Sequence, residues 1–280
     1  MTLRAGVLGH VEWAEFAVVD RMPPAGAIVH AREHFTDAGG GGAVAAVQMR
    51  RLLGRSVFLT VVGSDEPGSR AVGRLRDLGV DVHAAVRPRE QRRAFTHLDA
   101  AHERTITVMG DRLVPHGDDP LPWDVLGELD AVYVTGGDAA AIRAARAAKV
   151  VVATPRALPG LADAHIELEA IVASANDPGE RVAHGDLDPP PRLVVRTRGG
   201  EGGEWQAHEG RTGMWRARSM PAAPVDAYGC GDTFAAALTV ALGAGLDVDE
   251  ALEYAAGCGA LCLTGRGPYG ADLSEIGPPS

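Results

Sequence analysis

Lysine is almost absent from this sequence. All but one of its 27 basic residues are arginine, and the exception is Lys149. A Walker A loop, a protein-kinase fold and a Schiff-base enzyme each depend on a lysine in a particular sequence context. Lys149 follows two alanines and precedes a run of valines, as expected at a junction between a helix and a strand. None of these three classes of protein is therefore expected.

Aromatic residues and cysteines are scarce as well. Aromatic residues make up 5% of the chain while 46% of it is hydrophobic, so the core must be built mainly from Ala, Val and Leu. That composition favours helices packed on a parallel sheet. The three cysteines are too few for a disulfide framework.

Positive charge and long apolar runs are also lacking. The formal net charge of −10 argues against a nucleic-acid partner, because binding to phosphates needs a basic surface. No apolar run reaches the roughly 20 residues of a membrane span, and no signal-peptide pattern opens the chain. We therefore expect a soluble, cytoplasmic protein with no membrane partner.

Strand and helix patterns alternate along the chain, most clearly at residues 131–153. A strand at 131–134, an alanine-rich helix at 138–148 and a strand at 150–153 predict a parallel sheet covered on both faces. Further strands are predicted at 5–11, 16–19, 29–35, 57–62, 80–86, 94–99, 105–109, 171–174 and 193–196, and further helices at 43–53, 69–78, 231–242 and 248–263.

The strongest local signal is a glycine-bracketed turn before a predicted helix. Gly229 and Gly231 flank Cys230, and the apolar residues that follow have helical spacing. The glycines allow a tight turn whose N–H groups, together with the helix dipole, would form an anion hole for a phosphoryl group. Asp232 stands in the first turn of the helix, where it could take a proton from an attacking hydroxyl.

Two alternatives remain open at this turn. Asp232 could act only as a cap of the helix, and the spacing alone does not decide between a cap and a base. A carboxylate at the positive end of a helix is expected to have a lowered pKa, although positioning matters more than basicity in phosphoryl transfer. Cys230 is interpreted as a small residue and not as a reactive thiolate, because no histidine is near it in the sequence.

The same turn carries a resemblance to a known family. The run Asp226-x-x-Gly229-Cys230-Gly231-Asp232-x-Phe234 resembles the carboxy-terminal signature of ribokinase-like (PfkB) carbohydrate kinases, D-T-x-G-A-G-D-x-F. Ala227 and Cys230 replace the usual Thr and Ala, and both are small. Further segments resemble the family's glycine motif, its V-G-x-D-x-x-G segment, its G-E-R-T lid hairpin and its nucleotide-binding segment, at residues 40–43, 61–68, 102–105 and 194–202.

The resemblance implies a fold and a reaction. The fold is a three-layer α/β/α structure with a mainly parallel central sheet, expected as one domain over residues 1–280. A small β lid is expected near residues 11–36 and 92–109, and by analogy it forms a homodimer. The reaction takes MgATP and an alcohol to ADP and a phosphate ester, with a sugar or sugar derivative as the favoured small-molecule acceptor.

The resemblance also assigns residues to roles. Asp232 would be the base, with Gly229, Cys230 and Gly231 as the anion hole. The substrate side is expected to include Glu12, Gly41 and Gly42 in addition to Asp232. The nucleotide side is expected to include Asn176, Thr197, Gly199, Gly202, Ala255 and Ala256. Asp226 and Glu180 are expected near Mg²⁺, with K⁺ as a further candidate ion at Asp226.

Three departures from the family pattern bear on the substrate. Ala14 stands where the family has an Asp that binds substrate hydroxyls, and Ala45 stands where its glycine motif has an Asn. The family's N-x-x-E also differs, since Asn176 is followed by a glutamate only at Glu180. We therefore expect retained transfer chemistry and altered substrate recognition. A kinase of the same fold that acts on a nucleoside or a sugar acid, and a catalytically silent metabolite-binding protein, are the alternatives.

Three other patterns are given less weight. The run His30-x-x-Glu33-His34 fits an inverted zinc-protease motif, but it falls in a predicted lid strand and not in a helix. The arginine-rich run at residues 87–93 could attract an anionic substrate, although a solvated loop is the preferred interpretation. The glycine run lacks the last glycine of G-x-G-x-x-G, so no dinucleotide site is expected.

Overall fold

The computed structural model describes residues 3–101, 103–183 and 185–279. Its strands are β1 (Ala5–His10), β2 (Glu12–Val18), β3 (Glu33–Gly39), β4 (Val57–Gly63), β5 (Asp81–Arg87), β6 (Arg93–Leu98), β7 (Arg104–Met109), β8 (Ala131–Val134), β9 (Val150–Ala153), β10 (Ala170–Ser174), β11 (Leu193–Thr197), β12 (Gly203–Ala207) and β13 (Thr212–Trp215). Its α-helices are α1 (Gly41–Leu53), α2 (Glu66–Asp77), α3 (Ala139–Ala145), α4 (Leu158–Ala164), α5 (Cys230–Gly243) and α6 (Val248–Cys262).

The central sheet has nine strands in the order β13-β12-β11-β10-β9-β8-β1-β4-β5. The seven strands from β11 to β5 in this order pair in parallel. At the other edge, β12 pairs antiparallel with β11, and β13 pairs antiparallel with β12. β1 and β8 lie inside the sheet, and every residue of both strands is buried, as expected for strands covered on both faces. Because the strands are parallel, the carboxyl ends of β1, β8, β9, β10 and β11 meet at one edge of the sheet.

Helices cover both faces of this sheet, and a separate apolar core fills each side. Val7 of β1 packs into the core that includes α1, α2, α5 and α6, whereas Leu8 packs into the core that includes α3 and α4. This alternation follows from the two-residue period of a strand. The three-layer α/β/α fold with a mainly parallel sheet is therefore confirmed.

A second sheet of four strands, in the order β3-β2-β6-β7, forms the lid. β2 and β6 pair in parallel, and the outer strands are antiparallel to them. The strand predicted at 29–35 is too early in the chain, since β3 begins at Glu33 and continues to Gly39. Its end leads through Gly40 directly into α1, so the lid and the glycine motif are one continuous segment. His30 lies outside the strand, and Glu33 and His34 lie on it, so the zinc-protease pattern has no helix to present it.

Among the strands and α-helices of the described residues, α4, β12 and β13 were not predicted, and two helix boundaries were wrong by three residues. α2 begins at Glu66 because Asp65 caps it through the N–H of Gly68, and α3 ends at Ala145 instead of 148. α4 contains a proline and a glycine that hide its helical pattern, although the proline stands in the first turn where it is tolerated. β12 and β13 are short strands of five and four residues, and β13 forms the edge of the sheet. No helix in the described ranges is long and apolar enough to span a bilayer.

Two isoleucines, one buried and one exposed, test the packing of the core that includes α3 and α4. Ile142 of α3 is fully buried, whereas Ile28 in the lid loop is 92% exposed. Changing Ile142 to Ala should lower the free energy of unfolding by about 2–5 kcal/mol, because it removes buried methyl groups and leaves a cavity. Changing Ile28 to Ala should alter it by no more than about 0.5 kcal/mol. Urea denaturation measures both, and equal losses would contradict the assigned packing.

Candidate active site

The turn before α5 leaves backbone donors unpaired. Gly229 has a φ of 80°, a left-handed conformation that favours glycine, and it places Cys230 at the start of the helix. The N–H of Thr233 donates to the carbonyl of Gly229 at 2.8 Å. Within the described ranges, no protein acceptor lies in hydrogen-bond range of the N–H groups of Gly231 and Asp232. Both donors, at the positive end of a buried helix, are therefore available to an anion.

The Asp232 carboxylate faces the glycine motif across this turn. A Cβ atom placed on Gly41 would lie 2.6 Å from Oδ1 of Asp232, so only glycine allows this approach. A Cβ atom on Gly42 would lie 2.5 Å from the carbonyl oxygen of His10. No hydrogen bond to the Asp232 carboxylate is found in the part of the chain that the structure describes. The carboxylate therefore points across the turn and does not cap its own helix.

The pKa of Asp232 is raised to about 6, mainly because the carboxylate is buried. The negative charges of Glu180 and Glu12 raise this pKa further, while Arg104 and Arg112 oppose them. The expectation of a lowered pKa was therefore wrong: burial and two nearby carboxylates outweigh the helix dipole. A carboxylate with a pKa near 6 is better suited to accept a proton near neutral pH than an ordinary aspartate is.

Cys230 remains a thiol at this turn. Its pKa is raised because it hydrogen-bonds with the Cys262 side chain and is largely buried. A thiol with a raised pKa is a poor nucleophile near neutral pH. The geometry supports its interpretation as a small residue that lets the turn form.

Tyr228 joins the α5 turn to the glycine motif. Its hydroxyl accepts a hydrogen bond from the N–H of Gly40 at 3.3 Å, and its ring meets Phe16 edge-on at 4.9 Å. A Cβ atom on Gly39 would lie 2.6 Å from the Tyr228 hydroxyl oxygen. Tyr228 thus fixes the distance between the two segments that face each other at Asp232. No sequence pattern indicates this role, because residue 228 is a variable position of the signature.

Asp226 stabilises the other side of the same turn. Its Oδ1 accepts from the N–H of Tyr228 at 2.9 Å, and its Oδ2 accepts from the N–H of Gly267 at 2.6 Å. The residue is 2% exposed. The carboxylate therefore holds the turn against the segment that follows α6. In the described residues, no group of three His, Cys, Asp or Glu side chains is arranged to hold a metal ion.

Glu12 lies on the expected substrate side, but it already has a partner. A Cβ atom on Gly40 would lie 3.1 Å from Cγ of Glu12, which places this side chain beside the glycine motif. Its Oε1 accepts from Nε of Arg92 at 2.6 Å. Ala14 and Ala45, where the family has polar residues, are both fully buried. Neither of these two positions therefore offers a polar side chain that could bind a substrate hydroxyl.

Residues expected on the nucleotide side meet where β10 and β11 end. Ser174 pairs with Thr197 at the ends of these strands, and Asn176 follows in the next loop. Gly199 begins a short 3₁₀ turn and Gly202 follows it, and both have positive φ values, of 56° and 92°. Thr197, Asn176 and the two glycines therefore lie at or just beyond the carboxyl ends of β10 and β11.

Glu180 lies close enough to Asp232 to raise its pKa. Its Oε2 accepts from the N–H of Ser174 at 2.9 Å, and its Oε1 accepts from Nε of Arg156 at 3.4 Å. The substituted N-x-x-E pattern thus still brings a carboxylate to the site.

Ala255 and Ala256, which are also expected on the nucleotide side, lie on α6. Ala255 is fully buried and Ala256 is 8% exposed, and both belong to the core between α6 and its neighbours. Their expected place on the nucleotide side stays a prediction. Packing against α5 accounts for the small residues on this helix.

Arginine residues that were not predicted surround Asp232. Arg104 of the lid donates to the carbonyl of Ala227 at 3.2 Å, and Arg112 follows β7. Arg92 belongs to the run expected to be a solvated loop, yet it is half-buried and paired with Glu12. The expectation for that run was therefore wrong at Arg92. His102, in the predicted lid hairpin, lies outside the described residues.

The whole chain resembles known carbohydrate kinases. A family model described as "pfkB family carbohydrate kinase" matches residues 7–275. The chain is 29% identical to an ATP-dependent ribose-1-phosphate kinase from Halopiger xanaduensis, over 95% of this chain and 94% of that protein.

Solved structures share its fold. A ribokinase-type crystal structure from Agrobacterium tumefaciens superposes with a TM-score of 0.82 at 22% identity, covering 99% of this chain and 96% of that one. Ribokinase from Arabidopsis thaliana, complexed with ribose and ATP, superposes with a TM-score of 0.73 at 20% identity, covering 98% and 96%. Adenosine kinase from Sinorhizobium meliloti superposes with a TM-score of 0.77 at 17% identity, covering 99% and 98%.

Titration of the Asp232 carboxyl tests the electrostatics directly. Its ¹³C resonance, assigned by its loss in Asp232→Asn, should titrate with a pKa of about 6. In Arg104→Gln the pKa should rise, because a stabilising positive charge is removed. In Glu180→Gln it should fall, because a repelling negative charge is removed. A pKa near the ordinary value of about 3.9 in all three proteins would contradict the described burial.

Proposed function

The chain belongs to the pfkB family of carbohydrate kinases, and on that premise we propose that it transfers the γ-phosphoryl group of MgATP to a hydroxyl of a sugar or sugar derivative. Asp232 is the base in this proposal. One observation supports it most strongly. The Asp232 carboxylate, with a raised pKa and no protein hydrogen bond in the described ranges, stands beside two unpaired amide donors and opposite Gly41.

The proposed step moves one proton and one phosphoryl group. Asp232 accepts the proton of the acceptor hydroxyl while the hydroxyl oxygen forms a bond to the γ-phosphorus. The bond between that phosphorus and the oxygen bridging it to the β-phosphate breaks, and its electron pair leaves with ADP. The N–H groups of Gly231 and Asp232 stabilise the negative charge on the oxygens of the transferring group.

The acidic residues differ in how well they suit a metal ion. Mg²⁺ prefers oxygen ligands and often binds through one or two carboxylates together with substrate phosphates. Glu180 is the carboxylate we assign to it, because it lies near Asp232 and is held by the N–H of Ser174. Bound there, the ion would neutralise charge on the nucleotide phosphates. Asp226 fits this role less well, because it is only 2% exposed whereas the Glu180 side chain is 22% exposed, and we assign K⁺ to no residue.

The acceptor is proposed to be a sugar or a sugar phosphate in preference to a nucleoside. The relative from Halopiger xanaduensis, which matches across almost the whole chain, is named as a kinase of ribose 1-phosphate. The likeness to adenosine kinase, at 17% identity, concerns the fold. A sugar-type acceptor also agrees with the family to which the chain belongs.

We also propose a homodimer formed through the lid. Ile106 and Val108 lie two residues apart on the edge strand β7, so they share one face, and they are 40% and 43% exposed. An apolar pair on an open strand edge is suited to contact a second copy.

Changing Ile106 to Arg should convert a dimer into a monomer in sedimentation equilibrium, whereas Met214→Arg at the far edge of the central sheet should not. A wild-type monomer would contradict the proposal.

Replacing the base tests the reaction. Asp232→Asn should lower kcat by about 10²–10⁴-fold, because the amide cannot accept the proton. Nucleotide affinity should stay within about threefold, since the side chain keeps its shape. Asp249 is an exposed aspartate in the first turn of α6, and Asp249→Asn should leave kcat unchanged. ADP release and nucleotide titration measure both quantities. Full activity in Asp232→Asn would show that this residue is not the base.

A further inference from the structure

Arg112 lies across the carboxyl edge of the central sheet. Its Nη2 donates to the carbonyl of Thr135 at 2.8 Å and lies 2.8 Å from Nδ1 of His10. Its Nη1 donates to the carbonyl of Arg156 at 2.9 Å. These three partners follow β8, end β1 and follow β9, so the guanidinium is fixed by the rigid sheet even though Arg112 itself belongs to a loop.

None of these partners carries a negative charge. Two are backbone carbonyls, and the third is a buried imidazole. Burial, together with the positive charge of Arg112, lowers the pKa of His10 well below its usual range, so the ring is neutral. Among the residues that the structure describes, no carboxylate lies within ion-pair distance of Arg112. Its Nε is also buried and has no hydrogen-bond partner in the described ranges.

The neighbouring arginines differ from Arg112 in this respect. Arg92 is paired with Glu12 at 2.6 Å, and Arg156 is paired with Asp177 and with Glu180. Their charges are thus balanced within the protein. Burying a guanidinium without a counter-charge is unfavourable. Burial is also the main reason that the pKa of Arg112 is lowered to about 10. The site is therefore better satisfied when an anion is bound.

The position of Arg112 points to the acceptor and not to the nucleotide. Thr135, to whose carbonyl it donates, also faces the glycine motif, where a Cβ atom on Gly42 would lie 2.9 Å from Thr135 Oγ1. The positive charge of Arg112 also acts on the proposed base, Asp232. The side chain of Arg156, by contrast, pairs with Glu180, on the side where the nucleotide is expected. Arg112 thus lies on the side where the acceptor hydroxyl must approach.

We propose that Arg112 binds an anionic group of the acceptor, so that the substrate is a sugar already carrying a phosphate or a carboxylate. The planar guanidinium offers the donors that such a group needs, and its Nε still lacks a partner. The proposal rests on the proposed kinase activity and defines its substrate class. The proposal also accounts for Ala14 and Ala45. If the protein selects its substrate by the charge of the anionic group, it does not need the hydroxyl-binding side chains that the family has at these positions. Arg112 takes no part in bond breaking; it selects and orients the acceptor.

Acceptor preference of the unmodified protein is the first test. ADP release is measured with D-ribose, ribose 1-phosphate, ribose 5-phosphate and ribonate at fixed MgATP. We expect kcat/KM for at least one anionic sugar to exceed that for D-ribose by about 10- to 100-fold, as for a hydrogen bond to a charged group. The phosphate and carboxylate arms identify which anion is recognised. Equal or higher kcat/KM for D-ribose would overturn the proposal while leaving the kinase function intact.

Arginine variants supply the second test. Arg112→Gln should raise KM for the anionic acceptor by about 10- to 100-fold, with KM for ATP within about threefold. Arg112→Lys keeps the charge but loses the planar, forked arrangement of donors. Its KM for the anionic acceptor should therefore fall between those of the wild-type protein and Arg112→Gln. Arg89→Gln, at an exposed arginine paired with Asp111, is the matched control and should change nothing. Thermal unfolding checks that each variant is folded. If a variant does not fold, the acceptor preference of the wild-type protein still tests the proposal.

The remaining outcomes are also decisive. A raised KM for ATP with an unchanged KM for the anionic sugar would show that Arg112 binds nucleotide phosphates, and the proposal would be wrong. If no sugar, neutral or anionic, supports ADP release, the proposed function itself fails. Loss of the anionic preference in Arg112→Gln with an unchanged KM for ATP would support both.

Discussion

The close approach of Asp232 to Gly41 is the contact on which the rest of the site depends. It brings the start of α5 against the start of α1, two helix termini that are almost 190 residues apart in the chain. The absence of a Cβ atom at Gly41 and Gly42 leaves room for the carboxylate on one side and the end of β1 on the other. Tyr228 holds the two segments together through Gly40, and Asp226 fixes the turn from behind. A side chain at Gly41 would displace the carboxylate from the position that the proposed reaction requires.

Charge around that contact is arranged in two groups. Glu12 and Glu180 raise the pKa of Asp232, while Arg104 and Arg112 lower it, and burial sets the overall direction. Arg92 and Arg156 are neutralised by acidic partners, which leaves Arg112 as a cation whose counter-charge is not supplied by the described residues. The site thus combines a weak base, two amide donors and an unmatched guanidinium. Such a combination is suited to the transfer of one anionic group to a molecule that carries another.

Much of the fold could be predicted from local patterns. The strands at 131–134 and 150–153 and the α5 turn are encoded within a few residues, by apolar runs and by the glycines around Cys230. The register of β3 could not be read in this way, because its polar sequence is held by pairing with β2. Arg112 was missed for a related reason: its role depends on His10, Thr135 and Arg156, which are distant in sequence. The pKa of Asp232 was predicted in the wrong direction because the helix dipole is a local feature, whereas burial and Glu180 come from the tertiary fold.

A crystal structure with ADP, aluminium fluoride and an acceptor sugar is the most direct measurement of the central claim. The account predicts the fluoride group within hydrogen-bond distance of the N–H groups of Gly231 and Asp232, with the acceptor hydroxyl between it and the Asp232 carboxylate. A fluoride group bound away from the α5 turn, or an Asp232 side chain directed away from the hydroxyl, would contradict it.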